Sequence, residues 1–553
     1  MTDPDAIPAA AARQRTDGDA AAALAMLAQA AAEAPADAAL ALRHADALHH
    51  ARRLTEAEAE YERAIALGEA GFDSWYGLGM ARAARFAYPR AVEALYEALR
   101  IDPAAAALRT TLAEALFQTG AVDAACAEYA EAIRTGNAAV RAAALRNLAC
   151  IIPGAPGADH AAVRAVRTAW MQAQPTAPRR AAADATGRRL RVGYVSSYFG
   201  RPNWMKPVFG VLNHHDRARF EIHLLADGDP PSAEGGFTAH DEDRIWSIRG
   251  AGNARIAAAV ADNRLDVLVD LNGYSVPERL GLFMLRAAPV QLGWFNMYAT
   301  TGSAAFDALI GDDAVVTPAE EAFYPERILR VPGSYLAFTV NHPAPDIVPP
   351  PCLAAGHVTF GSLCSAYKLT APTVAAWARI LHGVPGARLV LRNSSFGDAS
   401  NRDAIAARFA QHGIAADRLA MDTPAPHLDF LATYGRVDIA LDAFPYNGGT
   451  TTTEALWQGV PVLAFDGDRW AARTSRSLLC AAGLGDWVAR DAEDYVARAI
   501  ALGRDAGTPA RLAALRAGMR DRLAASPACD VAGLCRALEA IYLAEHTAAL
   551  PRG

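Results

Sequence analysis

The chain has 553 residues, 52% of them apolar and 20% charged, with a formal net charge of −7. That length allows two to four domains with full cores, and the apolar share excludes an intrinsically disordered chain. The small negative charge gives no global electrostatic reason to expect a nucleic-acid partner.

The acidic N-terminus, MTDPDAIPAAAARQ, lacks the basic start and apolar stretch of a secretory signal. No uncharged apolar run approaches the roughly 18–20 residues needed to span a bilayer. Seven cysteines (Cys126, Cys150, Cys352, Cys364, Cys480, Cys529 and Cys535) are odd in number and lack C-x-x-C spacing. They read as reduced thiols rather than a disulfide frame or a zinc site, so the expected compartment is the cytoplasm. The first 150 or so residues are rich in alanine and carry a period of about 34 residues. Ala23, Leu27 and Ala30 recur as Ala57, Tyr61 and Ala64, as Ala91, Leu95 and Ala98, and as Ala125, Tyr129 and Ala132. Pro35 and Pro103 follow their units, and Trp75, Leu78 and Gly79 mark the other half of one unit. Small residues let paired helices approach and a large one fills the gap between pairs, which resembles the tetratricopeptide repeat. Such an array offers a concave surface for a protein partner. A solvating helix over 140–151, a helix over 160–172 and the linker PTAPRRAAADATGRR follow.

From Arg189 the texture changes to short β-rich runs: RLRVGYVSS, FEIHLLAD, LDVLVDLNGY and VQLGWFN. After a proline-rich break over residues 341–351 come HVTFGSL, ARLVLRN, RLAMD, VDIALDAF and VPVLAF. Strands alternating with helices imply parallel sheets, here two facing Rossmann-like halves with a ligand cleft between them. The predicted division is a repeat solenoid over 1–155, a connecting helix and linker over 156–188, a first half over 189–345 and a second over 346–553. Ligands bind beyond the carboxyl ends of parallel strands, so the informative residues should follow strands.

They do. After VDIALD comes AFPYNGGTTTTEALWQG, in which Asn447, Gly448, Gly449, Thr450, Thr451 and Thr452 precede a helix expected over 453–459. Glycines allow close approach, and hydroxyls and free amides at a helix start make a receptor for phosphate oxygens. Glu454, one position inside that helix, is suited to the two hydroxyls of a ribose. The G-x-x-x-x-G-K-[ST] spacing of a Walker loop is missing. Lys368 in FGSLCSAYKLT follows the first strand of the same half, where its ammonium can reach the diphosphate. A lysine and a helix N-terminus together stabilise a departing nucleoside diphosphate. No D-x-D or His/Asp cluster has convincing metal-ligand spacing, so no metal or cofactor is expected.

FGSLCSAYK, DIALDAFPYNGGTTTTEALWQGVPVLAF and RTSRSLLCAAGL resemble the protein O-linked N-acetylglucosamine transferase/SPINDLY family of glycosyltransferases, as does the array ahead of them. The resemblance implies a GT-B fold and inverting, metal-independent sugar transfer from a nucleoside diphosphate, UDP favoured, to a protein hydroxyl. By position, Lys368, Thr450 and Thr451 would hold the diphosphate and Glu454 the ribose. Ala425 and His427, in TPAPHLDF, would meet the base and ribose. Departures fall mostly in the first half. Tyr198 and Pro202 replace the family's acid and histidine in SSYFGRPNW, and NMYATTG (296–302) replaces G-Y-P-G-T-T-G. Phe430 stands at a usual histidine and Ser365 at a usual Asn or Gln.

Pro202 cannot accept a proton, so the general base is open, with Asp270, Tyr274 and Asn203 as substitutes. Trp204 and Lys206 are candidates for acceptor contact or for surface packing, and His214 and His215 read as a turn. The implied activity is transfer of N-acetylglucosamine from UDP-N-acetylglucosamine to Ser/Thr of a protein held by the repeats. The alternatives are a catalytically impaired nucleotide-sugar-binding scaffold, or a transferase using GDP-fucose, UDP-glucose or an Asn acceptor.

Overall fold

The structure, a computed structural model, describes residues 17–551. The acidic start MTDPDAIPAAAARQ therefore lies outside the described residues. The chain forms two compact units. One contains the residues through Ala144 together with Ser365–Tyr367 and Asn393–Gln411; the other contains Leu145–Cys364, Lys368–Arg392 and His412 onward.

The first unit is a run of antiparallel helices: Asp17–Glu33, Ala38–His50, Leu54–Ala66, Phe72–Ala84, Tyr88–Ile101, Ala106–Gln118 and Val122–Thr135. The anchors read from the 34-residue period are its core, since Ala57, Tyr61, Ala64, Ala91, Leu95, Ala98, Ala125, Tyr129 and Ala132 are all buried. Small residues are required at the crossings. A Cβ on Gly77 would stand 2.4 Å from the Tyr61 ring, and one on Gly79 would stand 2.6 Å from Leu95. The helix Ala399–Gln411 joins the repeats, with Asn401 Nδ2 donating to the Phe86 carbonyl at 2.6 Å and Arg408 Nη1 to that of Thr119 at 3.1 Å. Tyr367 stacks on Phe117 with ring centroids 4.7 Å apart.

The second unit holds two sheets. The first comprises β1 (Leu190–Ser196), β2 (Phe220–Ala226), β3 (Arg244–Ser247), β4 (Val267–Asp270), β5 (Val290–Gly293), β6 (Ala308–Gly311) and β7 (Arg327–Arg330), in the order β3-β2-β1-β4-β5-β6-β7. The second comprises β8 (Thr359–Ser362), β9 (Arg388–Arg392), β10 (Leu419–Asp422), β11 (Ile439–Leu441), β12 (Val462–Phe465) and β13 (Val488–Ala489), in the order β10-β9-β8-β11-β12-β13. Every pairing is parallel. Helices on both faces leave the central strands wholly buried, which is why they read as continuous apolar runs. The nine runs read from sequence are strands β1, β2, β4, β5, β8, β9, β10, β11 and β12. Strands β3, β6, β7 and β13 fall outside those runs, and β3 is an edge strand with a largely exposed RIWS pattern.

Strand order reverses between β1 and β4 in one sheet and between β8 and β11 in the other, and ligands bind at such switch points. The helix Val531–Ala549 packs on the first half, where Val531, Leu534, Leu538 and Tyr542 share one core cluster with Leu190, Val192, Tyr194, Phe220 and Ile222. Among the described residues no helix is long and apolar enough to cross a membrane.

Candidate active site

The loop after β11 is folded by one carboxylate. Asp442 Oδ1 accepts the N–H groups of Ala443 at 3.1 Å and Gly448 at 2.9 Å, drawing the chain back over the strand end. Burial pushes this carboxyl up to about 6. The helix that follows runs Thr450–Trp457, beginning three residues before the expected start, so the threonines form its first turn and Glu454 comes after them. Threonine is a poor interior helix former but serves well where amides lack intrahelical acceptors. Two hydroxyls are used internally: Thr453 donates to the Thr450 carbonyl at 2.8 Å, and Thr452 lies 2.8 Å from the Ser475 hydroxyl. Thr450 is exposed and Thr451 half-buried. A Cβ on Gly448 would stand 2.5 Å from Thr452 Oγ1, so glycine is required there. Gly449 meets only a methyl at 3.6 Å.

Lys368 follows β8 across the switch point. Its Nζ donates to the Asn447 carbonyl at 2.7 Å and sits 4.4 Å from the centre of the Tyr446 ring. The Asn447 side chain is 5% exposed, yet neither its Oδ1 nor its Nδ2 has a hydrogen-bond partner. A buried amide with both ends unsatisfied within the protein is uncommon and leaves donor and acceptor capacity for water or a ligand. Glu454 is buried, and Lys206 Nζ lies 3.2 Å from its Oε1. Burial raises the Glu454 carboxyl, and the lysine opposes that rise. His427 Nε2 is 3.8 Å from the same oxygen and also lacks a hydrogen-bond partner. Burial, with help from Lys206 and His342, pushes His427 down to about 4, so the ring is neutral at physiological pH. The Phe430 ring lies nearly parallel to His427 at 6.3 Å, and Ala425 is in the segment leading to the helix His427–Ala432. Ser365 is exposed and belongs to the unit of the repeats.

The first half places its candidates less favourably for proton transfer. Asp270 ends β4 fully buried, its two oxygens accepting the N–H groups of Asn272 and Gly273, each at 3.0 Å. Burial pushes it up to about 7. Tyr274 donates to the Thr301 carbonyl at 2.7 Å under the Arg167 guanidinium, and burial raises its phenol far above the ordinary value. Both groups are engaged in holding their own loops. Asn203 is exposed in the first turn of the helix Pro202–His214, where Pro202 occupies a position that needs no N–H. In the segment 296–302, Asn296 and Tyr298, like Phe295 before them, have left-handed φ of 56°, 55° and 56° respectively. Such backbone persists only where surroundings over-determine it. Asn296 Oδ1 accepts from Trp204 Nε1 at 3.3 Å and from the Tyr298 hydroxyl at 3.1 Å, while Arg167 Nη1 donates to the Met297 and Thr300 carbonyls. Tyr198 and Trp204 stack at 4.5 Å, and Tyr298 meets Tyr446 of the second half edge-on at 5.1 Å.

Sequence reasoning missed Asp442, Tyr446 and Asn296 as loop organisers. It also missed His215, Cys535 and Glu539 as a buried cluster of metal-competent groups, residues more than 300 positions apart in sequence. The Tyr194 hydroxyl lies 2.7 Å from His215 Nε2, and Glu539 Oε1 lies 2.9 Å from His215 Nδ1. That network joins the last helix to the first sheet.

Two parallel Rossmann-like halves, with a threonine-rich helix start and a lysine at the switch point of the second, define a GT-B-type fold preceded by a repeat array. The profile of Glycosyl transferase family 41 matches residues 154–342 and 352–538, and the chain belongs to that family. A barley (Hordeum vulgare) protein described as a probable UDP-N-acetylglucosamine–peptide N-acetylglucosaminyltransferase SPINDLY is 33% identical over 364 residues. The match covers 64% of this chain and 38% of that protein. The Arabidopsis thaliana relative SEC, with the same description of activity, is 28% identical, with 64% and 37% covered. The chain thus spans well under half the length of these curated relatives. A solved structure of a mutant Thermobaculum terrenum O-GlcNAc transferase superposes with a TM-score of 0.77 at 29% identity, covering 93% of this chain and 98% of that one.

Proposed function

We propose that the chain is an inverting protein glycosyltransferase that moves one N-acetylglucosamine from UDP-N-acetylglucosamine to Ser/Thr hydroxyls of a cytoplasmic protein held by the repeats. The observation that carries this reading is the Asn447–Thr451 cradle: an unsatisfied buried amide, a helix N-terminus and the Lys368 ammonium converge on one spot. Glu454 and His427 beside it suit a ribose, and Phe430 and Ala425 suit the base. As the sugar–phosphate bond breaks, negative charge grows on the diphosphate. Lys368 and the helix amides stabilise it from fixed positions, in the role a metal ion plays elsewhere, so transfer is metal-independent.

The acceptor hydroxyl must lose its proton to a group or water about 3 Å away. Asp270 and Tyr274 are engaged in their loops, which leaves Asn203 to orient the hydroxyl and a water to take the proton. The same engagement, with Pro202 in place of a histidine, favours a second reading: a scaffold that binds a nucleotide sugar without transferring it.

Intact-mass analysis of co-expressed host proteins, with and without the gene, separates the two and gives the sugar mass. Calorimetry with UDP and GDP identifies the base. Lys368→Ala should cut transfer by about 10²–10³ fold, the usual loss when one transition-state charge partner is removed. Unchanged turnover on an intact donor would refute that role.

A further inference from the structure

Lysine and arginine together number 53 in this chain, and only two of them are lysines: Lys206 and Lys368. The sequence uses arginine nearly everywhere a cation is wanted, so the positions of its two lysines stand out. An ammonium is a compact point charge with three rotatable donors that can change partners, whereas a guanidinium is a wide planar fork.

Both lysines converge on one segment. Lys368, from the second half, donates to the Asn447 carbonyl at the segment's start. Lys206, on the helix Pro202–His214 of the first half, donates to the Glu454 carboxylate at its end, at 3.2 Å. The two lysines thus bracket the phosphate-receptive turn from opposite halves of the cleft. Lys206 is 8% exposed and Glu454 6%, so this is a buried pair and not a surface contact. Next to it, His427 Nε2 is buried, unpartnered and 3.8 Å from the same carboxylate oxygen. A buried charge pair beside an unsatisfied ring nitrogen is incomplete as a structural element, and a ligand bearing hydroxyls and a phosphate would complete it.

We propose that Lys206 is a donor-binding residue. On entry of a nucleoside diphosphate sugar its ammonium turns from Glu454 toward the ribose–phosphate portion, leaving the carboxylate to the ribose hydroxyls. The ligand is then gripped by one lysine from each half, and binding and cleft geometry become coupled. This rests on the donor site set out above and adds a ligand from the acceptor half to it.

The scarcity of lysine supplies the test. Biosynthetic incorporation of ε-¹³C-lysine labels only the two lysines and leaves their ammonium groups unmodified, and Lys206→Arg and Lys368→Arg assign the signals. Saturating UDP should shift both lysine signals. If the Lys368 signal alone moves, Lys206 is not a donor ligand and this proposal falls while the functional reading stands. If neither moves with UDP or GDP, the functional reading itself falls.

Affinity gives an independent readout. Lys206→Met should weaken UDP binding about tenfold or more, as expected for a charge-assisted contact. Since that change strands a buried carboxylate, Lys206→Met with Glu454→Gln is measured alongside. A residue with only a structural role would lose thermal stability in the single variant without losing UDP affinity in Lys206→Arg. Here Lys206→Arg should keep the fold and still bind UDP more weakly. Wild-type affinity in Lys206→Arg would overturn the proposal.

Discussion

At the scale of single residues, Asp442 makes the cradle sensitive to pH. An ordinary aspartate titrates near 3.8, and burial pushes this one up to about 6 in the fold. The folded chain therefore holds the proton more tightly than the unfolded chain. The associated stability is fully present below pH 3.8 and is lost as pH rises through about 6. The same ionisation puts a negative charge under Gly448, beside the position of the diphosphate. Affinity for UDP-N-acetylglucosamine, whose phosphates do not titrate in this range, should fall by a few fold as pH rises from about 5 to 7. Asp442→Asn keeps an oxygen to accept the Gly448 N–H, so the variant should bind with a flatter pH profile. Calorimetry of both proteins across that range checks it, and parallel profiles would refute the assignment. Asp270 shifts in the same direction, up to about 7, but sits in both proteins, so the difference between their profiles isolates Asp442.

Among the elements, the Thr450–Trp457 helix shows what can be read from sequence and what cannot. Its composition points to a phosphate receptor, an expectation that rests on glycine, threonine and a strand end having local consequences that chain order preserves. Its start was misplaced by three residues, because the cap is set by Asp442 pulling Gly448 inward, a contact that spans the loop. The nine strands read from sequence were legible for the same local reason, as each lies in a β-rich apolar run, while the two-residue β13 has no pattern to read. In the first half, Asp270 and Tyr274 looked available because they follow a strand. Only packing shows their polar atoms engaged by Asn272, Gly273 and Thr301. The two glycines before the helix should likewise behave differently. Gly448→Ala puts a methyl 2.5 Å from Thr452 Oγ1 and 2.9 Å from Thr451 Oγ1, which must push aside hydroxyls of the first turn. UDP affinity should drop by about tenfold or more, with about 1–3 kcal/mol of lost stability from overpacking. Gly449→Ala meets nothing closer than 3.6 Å and should cost much less. Equal losses in the two variants, by calorimetry and denaturant unfolding, would show that the cradle does not depend on that close approach.

For the molecule as a whole, the last helix completes the first sheet's core, though hundreds of residues separate them. Val531–Ala549 brings Leu534, Leu538 and Tyr542 into the cluster around β1 and β2, and a Cβ on Gly210 would touch Val531 at 2.7 Å. Glu539 reaches His215 Nδ1 at 2.9 Å and accepts the Asp216 N–H at 2.9 Å, and Tyr542 lies 3.0 Å from the Tyr194 hydroxyl. A chain cut before Asp530 would leave His215 Nδ1 and the Asp216 N–H without Glu539 and open an apolar face over β1 and β2. Leaving a buried polar group unsatisfied costs about 1–3 kcal/mol, and the lost side chains add to that. The first half should therefore loosen while the second sheet, which lacks these contacts, stays closed. Amide hydrogen exchange resolved by peptide tests this directly: protection should fall in Leu190–Ser196 and Phe220–Ala226 and persist in Thr359–Ser362 and Ile439–Leu441. Because Lys206 rides on the helix Pro202–His214, whose Gly210 faces Val531, the truncated chain should also bind UDP more weakly with its Asn447–Glu454 segment intact. Loss of protection confined to the second sheet would mean that the last helix belongs, energetically, to the half that encodes it.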